Sequence, residues 1–244
     1  MRYCVVIPAR LKSTRFPAKP LAEILGYSMI QRTFNQVSKC INPNLIYIAT
    51  DSTQIKDHCL QFTKNIFVTE KNCATGTDRV SEFAKSFPNF DYYINVQGDE
   101  PIINPEDILK IVKMQKKYPD DVINGYAPIL IEEDYRSLSV PKMVISQDDE
   151  LIYSSRSSVP GNKNNTFISG NSHRQICIYS FPKKALSLFG SGKVKTKLEE
   201  VEDIEILRFL ENGVRVKMIK CSGESIAVDT KDDLQKVIKI LESR

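Results

Sequence analysis

The sequence predicts an α/β domain, a mostly parallel sheet wrapped by helices and carrying an inserted antiparallel element. Three observations predict it. Short apolar runs alternate with amphipathic stretches through the first half, which is the strand–helix rhythm of a parallel sheet. That rhythm breaks after residue 120, where strand-like runs follow one another, and helical patterns return only near the C-terminus. The 244 residues are 41% apolar and 26% charged, enough for one large domain with a proper core, so disorder is excluded as a description of the whole.

Tyr3-Cys4-Val5-Val6-Ile7 reads as the first buried strand. Leu45-Ile46-Tyr47-Ile48-Ala49 and Tyr92-Tyr93-Ile94-Asn95-Val96 read the same way. Between them, Met29, Ile30, Phe34 and Val37 recur at helical spacing within 28–40. Residues 52–62 follow Asp51-Ser52, a good N-cap pair, and 76–86 form a shorter helix. Residues 105–117 open with Asn104 as cap and Pro105 at the first helical position, with Glu106 and Asp107 on the positive end of the dipole. Segments 122–131, 142–145, 150–154 and 174–181 read as strands, while Gly, Asn and Lys crowd 161–172 into an exposed loop. Residues 160–200 are placed to fold over a site or against a second subunit. A helix at 199–211 is stopped by Asn212-Gly213. The last, at 231–243, starts from a weak capping box of Thr230 and Asp233 and carries Leu234, Val237, Ile238 and Leu241 on one face. With no internal repeat or low-complexity linker, 1–244 reads as a single domain with an insertion at about 135–195.

Charge and cysteine usage narrow the class. Lys plus Arg at 34 against Asp plus Glu at 30 gives +4, too mild for a nucleic-acid coat. No apolar run approaches the ~18–20 residues of a membrane span, and no signal-peptide pattern opens the chain. Cys4, Cys40, Cys59, Cys73, Cys177 and Cys221 stand alone without a C-x-x-C, and His58 and His173 are the two histidines. That pattern argues against a zinc site or a disulfide framework and predicts a reducing, cytoplasmic setting.

Three stretches carry chemistry. Pro8-Ala9-Arg10-Leu11-Lys12-Ser13-Thr14-Arg15-Phe16-Pro17-Ala18-Lys19-Pro20 holds four cations and no acid directly after the first strand. Ligands of open parallel sheets gather outside the carboxyl ends of the strands. Arg10, Arg15, Lys19 and backbone amides there can hold a triphosphate, Arg as a fork and Lys as a point charge. By composition alone a solvated basic loop is an equal reading. It is neither a G-x-G-x-x-G loop nor a Walker loop. Gln97-Gly98-Asp99-Glu100-Pro101 follows the most buried-looking strand, where a carboxylate suits Mg²⁺ and where Asp-Glu-Pro is also ordinary turn chemistry. Ile226-Ala227-Val228-Asp229-Thr230 repeats the pattern of an apolar strand and an aspartate before a helix, and Asp229 reads alternatively as a helix cap. All three loops should converge on one edge of the sheet, a placement suited to phosphate plus Mg²⁺.

The chain also resembles a known family. I-P-A-R-x-x-S-T-R-x-P-x-K-P-L from Ile7, A-T-D at 49–51, T-G-T-D-R at 75–79, N-V-Q-G-D-E-P at 95–101 and V-D-T at 228–230 are similar to the 3-deoxy-manno-octulosonate cytidylyltransferases, the CMP-Kdo synthetases. Tyr153 to Ser157 and Leu198 to Arg208 extend the resemblance over nearly the whole chain. It implies a Rossmann-like fold whose inserted element serves dimerisation, hence a homodimer. It implies transfer of CMP from CTP to the anomeric hydroxyl of a 3-deoxy-2-keto sugar acid, with Mg²⁺ as cofactor and a product bound for lipopolysaccharide, capsule or another glycan. By position, Arg10, Ser13, Arg15 and Lys19 would bind the triphosphate, Pro8 and Ala9 would belong to the nucleotide site with them, and Thr75, Gly76, Thr77 and Arg79 would border the nucleotide. Asp99 and Asp229 would hold the metal. These two, with Arg10 and Lys19, form the implied catalytic set. Gln97, Arg156, Gln175 and Glu202 would face the sugar acid, Arg156 against its carboxylate. His173 reads as a loop residue rather than a base.

Departures fall in the sugar half. Gln175 stands where the family has a histidine, Glu205-Ile206-Leu207-Arg208 where it has E-Q-L-R, and Ser139-Val140-Pro141-Lys142-Met143-Val144 where it has N-x-V-K-V-V. The reaction type is therefore more firmly implied than the acceptor, and a modified octulosonate or another deoxy-2-keto acid is an alternative to Kdo. Two rivals remain: an enzyme of the same fold acting on a sugar phosphate or polyol phosphate, and an inactive nucleotide-binding module. Arg156 favours the sugar acid over the first, and retention of Asp99 and Asp229 argues against the second.

Overall fold

The computed structural model describes residues 1–11, 16–190 and 192–243. Strand β1 (Tyr3–Ala9) is buried from Cys4 onward. A short hairpin of β2 (Glu23–Ile24) and β3 (Tyr27–Ser28) leads into α1 (Met29–Ser38), capped where the Ser28 hydroxyl accepts from the Gln31 amide. Next come β4 (Ile46–Thr50), α2 (Thr53–Cys59), β5 (Ile66–Val68), α3 (Gly76–Ser86), β6 (Tyr92–Val96) and α4 (Pro105–Lys117). The middle of the chain forms β7 (Val122–Pro128), α5 (Glu132–Arg136), β8 (Lys142–Ile145), β9 (Leu151–Ser155) and the long β10 (His173–Pro182). It closes with α6 (Lys197–Glu202), α7 (Leu207–Glu211), β11 (Val216–Lys220) and α8 (Lys231–Glu242).

One nine-stranded sheet runs in the order β11-β7-β10-β6-β1-β4-β5, with β8 beside β10 and β9 beside β8. The β1–β4, β1–β6, β4–β5 and β7–β11 pairs are parallel. Strand β10 lies antiparallel between β6 and β7, and its start also pairs with β8. The predicted mostly parallel, helix-flanked sheet is therefore observed. The 161–172 stretch is a largely exposed loop, as predicted.

Alternation along β1 divides the core in two. Val5 and Ile7 face a cluster with Ile30, Phe34 and Val37 of α1 and Ile108 and Ile111 of α4. Cys4 and Val6 face a second cluster with Val80 and Phe83 of α3 and Phe209 of α7. A strand buried on both faces explains the unbroken apolar run. A third, smaller cluster seats Val237 of α8 against Ile102, Met29 and Val228. Among the described residues no helix is long and apolar enough to cross a membrane.

Two predicted elements differ. The helix expected over 199–211 is two short helices, α6 and α7, parted at Asp203, which adopts a left-handed φ of 51°. The Arg156 guanidinium draws off the carbonyls of Glu202 and Asp203, which a continuous helix would need. The 226–228 run is not a strand. It packs Val228 into the third cluster and donates the Val228 amide to the Asp99 carbonyl at 2.9 Å. Strands β5 and β11, the β2–β3 hairpin and α5 lie outside the predicted elements.

Candidate active site

Strands β1 and β6 are parallel neighbours, so their carboxyl ends put Pro8–Arg10 beside Gln97–Asp99. The approach is close: a Cβ on Gly98 would stand 2.9 Å from the Pro8 carbonyl oxygen, so glycine alone fits there. The Val228–Asp99 backbone bond then stitches the start of α8 to the same spot. Lys19 completes the convergence. Its ammonium lies 2.6 Å from Asp99 Oδ2 and 3.0 Å from Asp229 Oδ1. Burial pushes this lysine down, but the two carboxylates outweigh it and hold its pKa above the ordinary value.

Helix α3 forms the opposite wall. Thr75 and Asp78 make a reciprocal capping box at its start. Glu205 supplies a second cap: it accepts from the Gly76 amide at 3.1 Å, the Thr77 amide at 2.9 Å and the Thr77 hydroxyl. Burial still raises the Glu205 pKa above its ordinary value, despite those three bonds. Arg79 lies buried beneath, donating to the carbonyls of Cys73 and Thr75 and pairing with Asp51 at 3.1 Å. It thus ties the end of β4 to the 73–75 turn. Arg10 is exposed and reaches the Ala74 carbonyl at 3.4 Å.

Two cavities open here. The smaller, about 300 Å³, is lined by Pro8, Ala9, Arg10, Lys19, Thr75, Gly76 and Arg79 on the predicted nucleotide side. The larger, about 700 Å³, is lined by Arg156, Arg174, Gln175 and the 137–141 segment. Gln97, Asp99, Asp203, Glu205 and Asp229 line both. The carboxylates paired to Lys19 therefore stand on the partition between two compartments.

The structure thus brings most of the sequence-predicted residues to one place. Thr77 and Glu202 line neither cavity. Thr77 bonds Glu205, while Glu202 accepts from Tyr153, Ser155 and the Arg156 amide, contacts that overcome its burial and hold its pKa below the ordinary value. Arg156 lines the larger cavity with its guanidinium on the carbonyls of Glu202, Leu138 and Asp203. Gln175 is buried there, its Nε2 donating to Asn124 Oδ1 at 3.0 Å. Ser13 and Arg15 lie outside the described residues. Of the departures, Ile206 packs into the second core cluster away from both cavities, whereas Gln175, Ser139, Val140 and Pro141 line the larger one.

Sequence reasoning passed over several groups. Glu100 lies buried below Asp99, accepting from the Cys177 amide and the Ser225 hydroxyl, and burial pushes its pKa up to about 7. Arg174 holds the carbonyls of Gly223 and Ser225. Asp203 and Lys195 meet over the smaller cavity. The first acid of E-I-L-R was a signal for Glu205, but nothing local marks Asp203 or Lys195.

The donor set suits a hard divalent cation. Among the described residues no group of three or more His, Cys, Asp or Glu forms a closed metal cage. Mg²⁺ takes one or two carboxylates and fills the rest of its shell with water and substrate phosphate. Asp99 and Asp229, already converging on one positive charge, fit that share.

A family model described as cytidylyltransferase matches residues 4–220. A 3-deoxy-manno-octulosonate cytidylyltransferase from Protochlamydia amoebophila is 35% identical over 237 residues, covering 95% of this chain and 91% of its own. One from Chloroherpeton thalassium is 38% identical over 244 residues, covering 99% and 98%. Among solved structures, a CMP:2-keto-3-deoxy-manno-octonic acid synthetase complexed with CTP superposes with a TM-score of 0.88 at 27% identity, over 100% of this chain and 99% of that one. A 4-diphosphocytidyl-2C-methyl-D-erythritol synthase from Anaerococcus prevotii reaches a TM-score of 0.64 at 15% identity over 99% and 98%, a likeness of fold.

Proposed function

The chain belongs to the 3-deoxy-manno-octulosonate cytidylyltransferase family, and on that premise we propose that it transfers CMP from CTP to the anomeric hydroxyl of Kdo or a related 3-deoxy-2-keto sugar acid. The observation that carries this reading is the partition. A basic cavity suited to a triphosphate and a larger cavity with Arg156 at its wall share Asp99 and Asp229. Donor and acceptor would meet across those carboxylates.

The anomeric oxygen forms a bond to the α-phosphorus while the bond to the bridging oxygen breaks. Pyrophosphate leaves with the electron pair, and the hydroxyl proton is released. Negative charge grows on the bridging oxygen, where Arg10 and Lys19 offer fixed positive charge. Asp99 and Asp229 would hold Mg²⁺, which when bound neutralises phosphate charge and lowers the pKa of the attacking hydroxyl. The Thr75–Gly76 turn, held by Glu205 and Arg79, would border the nucleotide, and Gln97 reaches both compartments. Arg156 would exchange a carbonyl partner for the acceptor carboxylate.

Gln175 bears on which acid is taken. A glutamine never carries charge, and here its amide is already tied to Asn124, so it cannot reproduce an ionisable histidine. A modified octulosonate or related keto acid is therefore proposed over Kdo itself. We further propose a homodimer formed through the inserted element, on or beside which Leu130, Leu138, Ile152 and Val201 stand more than half exposed. The six free thiols fit a cytoplasmic setting.

The test pairs calorimetry with turnover. CTP with Mg²⁺ should bind more tightly than UTP, ATP or GTP, and pyrophosphate release should be fastest with an amino-substituted octulosonate or a nonulosonate. Equal or tighter purine binding would overturn the cytidylyltransferase reading. A wide kcat/KM advantage for Kdo would overturn the acceptor assignment alone.

A further inference from the structure

The smaller cavity has a third wall, built by the segment that leads into α6 and by the turn at Asp203. Its acids are Asp203 and Glu205, and facing a triphosphate they would repel it. One cation stands among them. Lys195 lines this cavity and not the larger one, with its ammonium 2.5 Å from Asp203 Oδ1. The Asp203 side chain is 70% exposed and the Lys195 side chain 27%. Exposed ion pairs of this kind contribute little stability, so Lys195 can leave Asp203 cheaply for a more highly charged anion.

Two other described cations of the cavity, Arg79 and Lys19, are more firmly engaged. Arg79 is buried against Asp51 and two carbonyls, and Lys19 bridges Asp99 and Asp229. Arg10 makes one long bond to a carbonyl. Among the described residues, Arg10 and Lys195 are thus the cavity cations whose present partners yield most easily. The Asp203 carboxylate is held below its ordinary pKa chiefly by Lys195, with Arg156 and Arg10 adding to the effect against its burial. Its backbone carbonyl is pinned separately by Arg156. Asp203 therefore keeps its place when Lys195 departs.

We propose that Lys195 is a further nucleotide-binding residue, one that rests on Asp203 in the free enzyme and moves to a phosphate of the bound triphosphate. The proposal rests on the cytidylyltransferase reading above and adds a residue to it.

A purely structural pair and a substrate contact make opposite forecasts. If the pair only fastens the chain leading into α6, Lys195→Met and Asp203→Asn break the same bond and must weaken CTP binding equally. If Lys195 meets phosphate, Lys195→Met should raise the CTP dissociation constant ~10–100-fold, the range of a lost charge-assisted hydrogen bond. Asp203→Asn should leave CTP binding unchanged or tighter, because it frees the lysine. Lys195→Arg should keep most of the affinity. Cytidine, which has no phosphate, should bind the wild type and Lys195→Met alike. Calorimetry on full-length protein, with melting curves to confirm folding, reads all of these. Equal CTP affinity in wild type and Lys195→Met, or an equal loss in Asp203→Asn, would overturn the proposal. Failure of the wild type to bind CTP at all would overturn the parent reading and this one together.

Discussion

Asp229 stands one residue before the cap of α8, and Thr230 with Asp233 closes that cap reciprocally. The helix has no need of the Asp229 carboxylate, which goes instead to Lys19. Asp99→Asn and Asp229→Asn should therefore each lower kcat by at least ~10², the cost of removing a main electrostatic contact, while melting temperatures stay close to wild type. Pyrophosphate release and thermal melts check both halves. Near-full activity in Asp229→Asn would return that residue to a purely local role. Lys19, Asp99 and Asp229 were legible because each lies in a short string whose neighbours announce a strand end or a helix start. Glu205 caps Gly76 from 129 positions away. No window of sequence contains such a contact, so the motif marks Glu205 but the cap it supplies waits on the fold.

At the scale of elements, long apolar periodicity was read well and its interruptions were not. Leu198, Val201, Ile204 and Leu207 keep helical spacing without glycine or proline, yet Arg156 of another segment breaks the run at Asp203. Strand β11 alternates Val216, Met218 and lysines, a pattern weaker than the buried runs of β1 or β6. Strand β8 holds a different surprise, a lysine with no exposure. The Lys142 ammonium donates to the carbonyls of Ser137 and Arg156, and burial, aided by repulsion from Arg156 and opposed by Glu202, lowers its pKa to about 8. In the unfolded chain a lysine titrates near ~10.4. Between those values the unfolded state binds more protons, so stability rises with pH across the window and is lowest below it. Urea unfolding of wild type and Lys142→Met at pH 7, 8.5 and 10 should show the difference shifting in favour of wild type as pH rises. A constant difference would mean that Lys142 does not titrate there.

At the scale of the molecule, two cores flank one sheet, and a buried ionic net fastens the second of them. Arg208 forks onto Glu199 at 2.6 and 2.7 Å, reaches Asp78 at 3.4 Å and lies 3.9 Å from the Phe189 ring centre. The string from Leu198 to Arg208 therefore serves packing. Arg208→Met leaves the buried Glu199 carboxylate without its cation, while Asp78 keeps its bonds from Thr75 and Gly190, and should cost about 3–5 kcal/mol in urea unfolding. A loss under ~1 kcal/mol, the range of a surface pair, would show the net to be dispensable. The other long-range clasp is the ammonium of Lys19, whose partners lie 80 and 210 positions along the chain. It is a counterion that cannot diffuse away. Mobile salt neutralises exposed acids in proportion to its concentration, but a tethered charge in a half-buried seat is screened far less. Between turnovers, the two acids on the partition share one fixed positive charge that depends far less on the ionic strength around them than a mobile ion would.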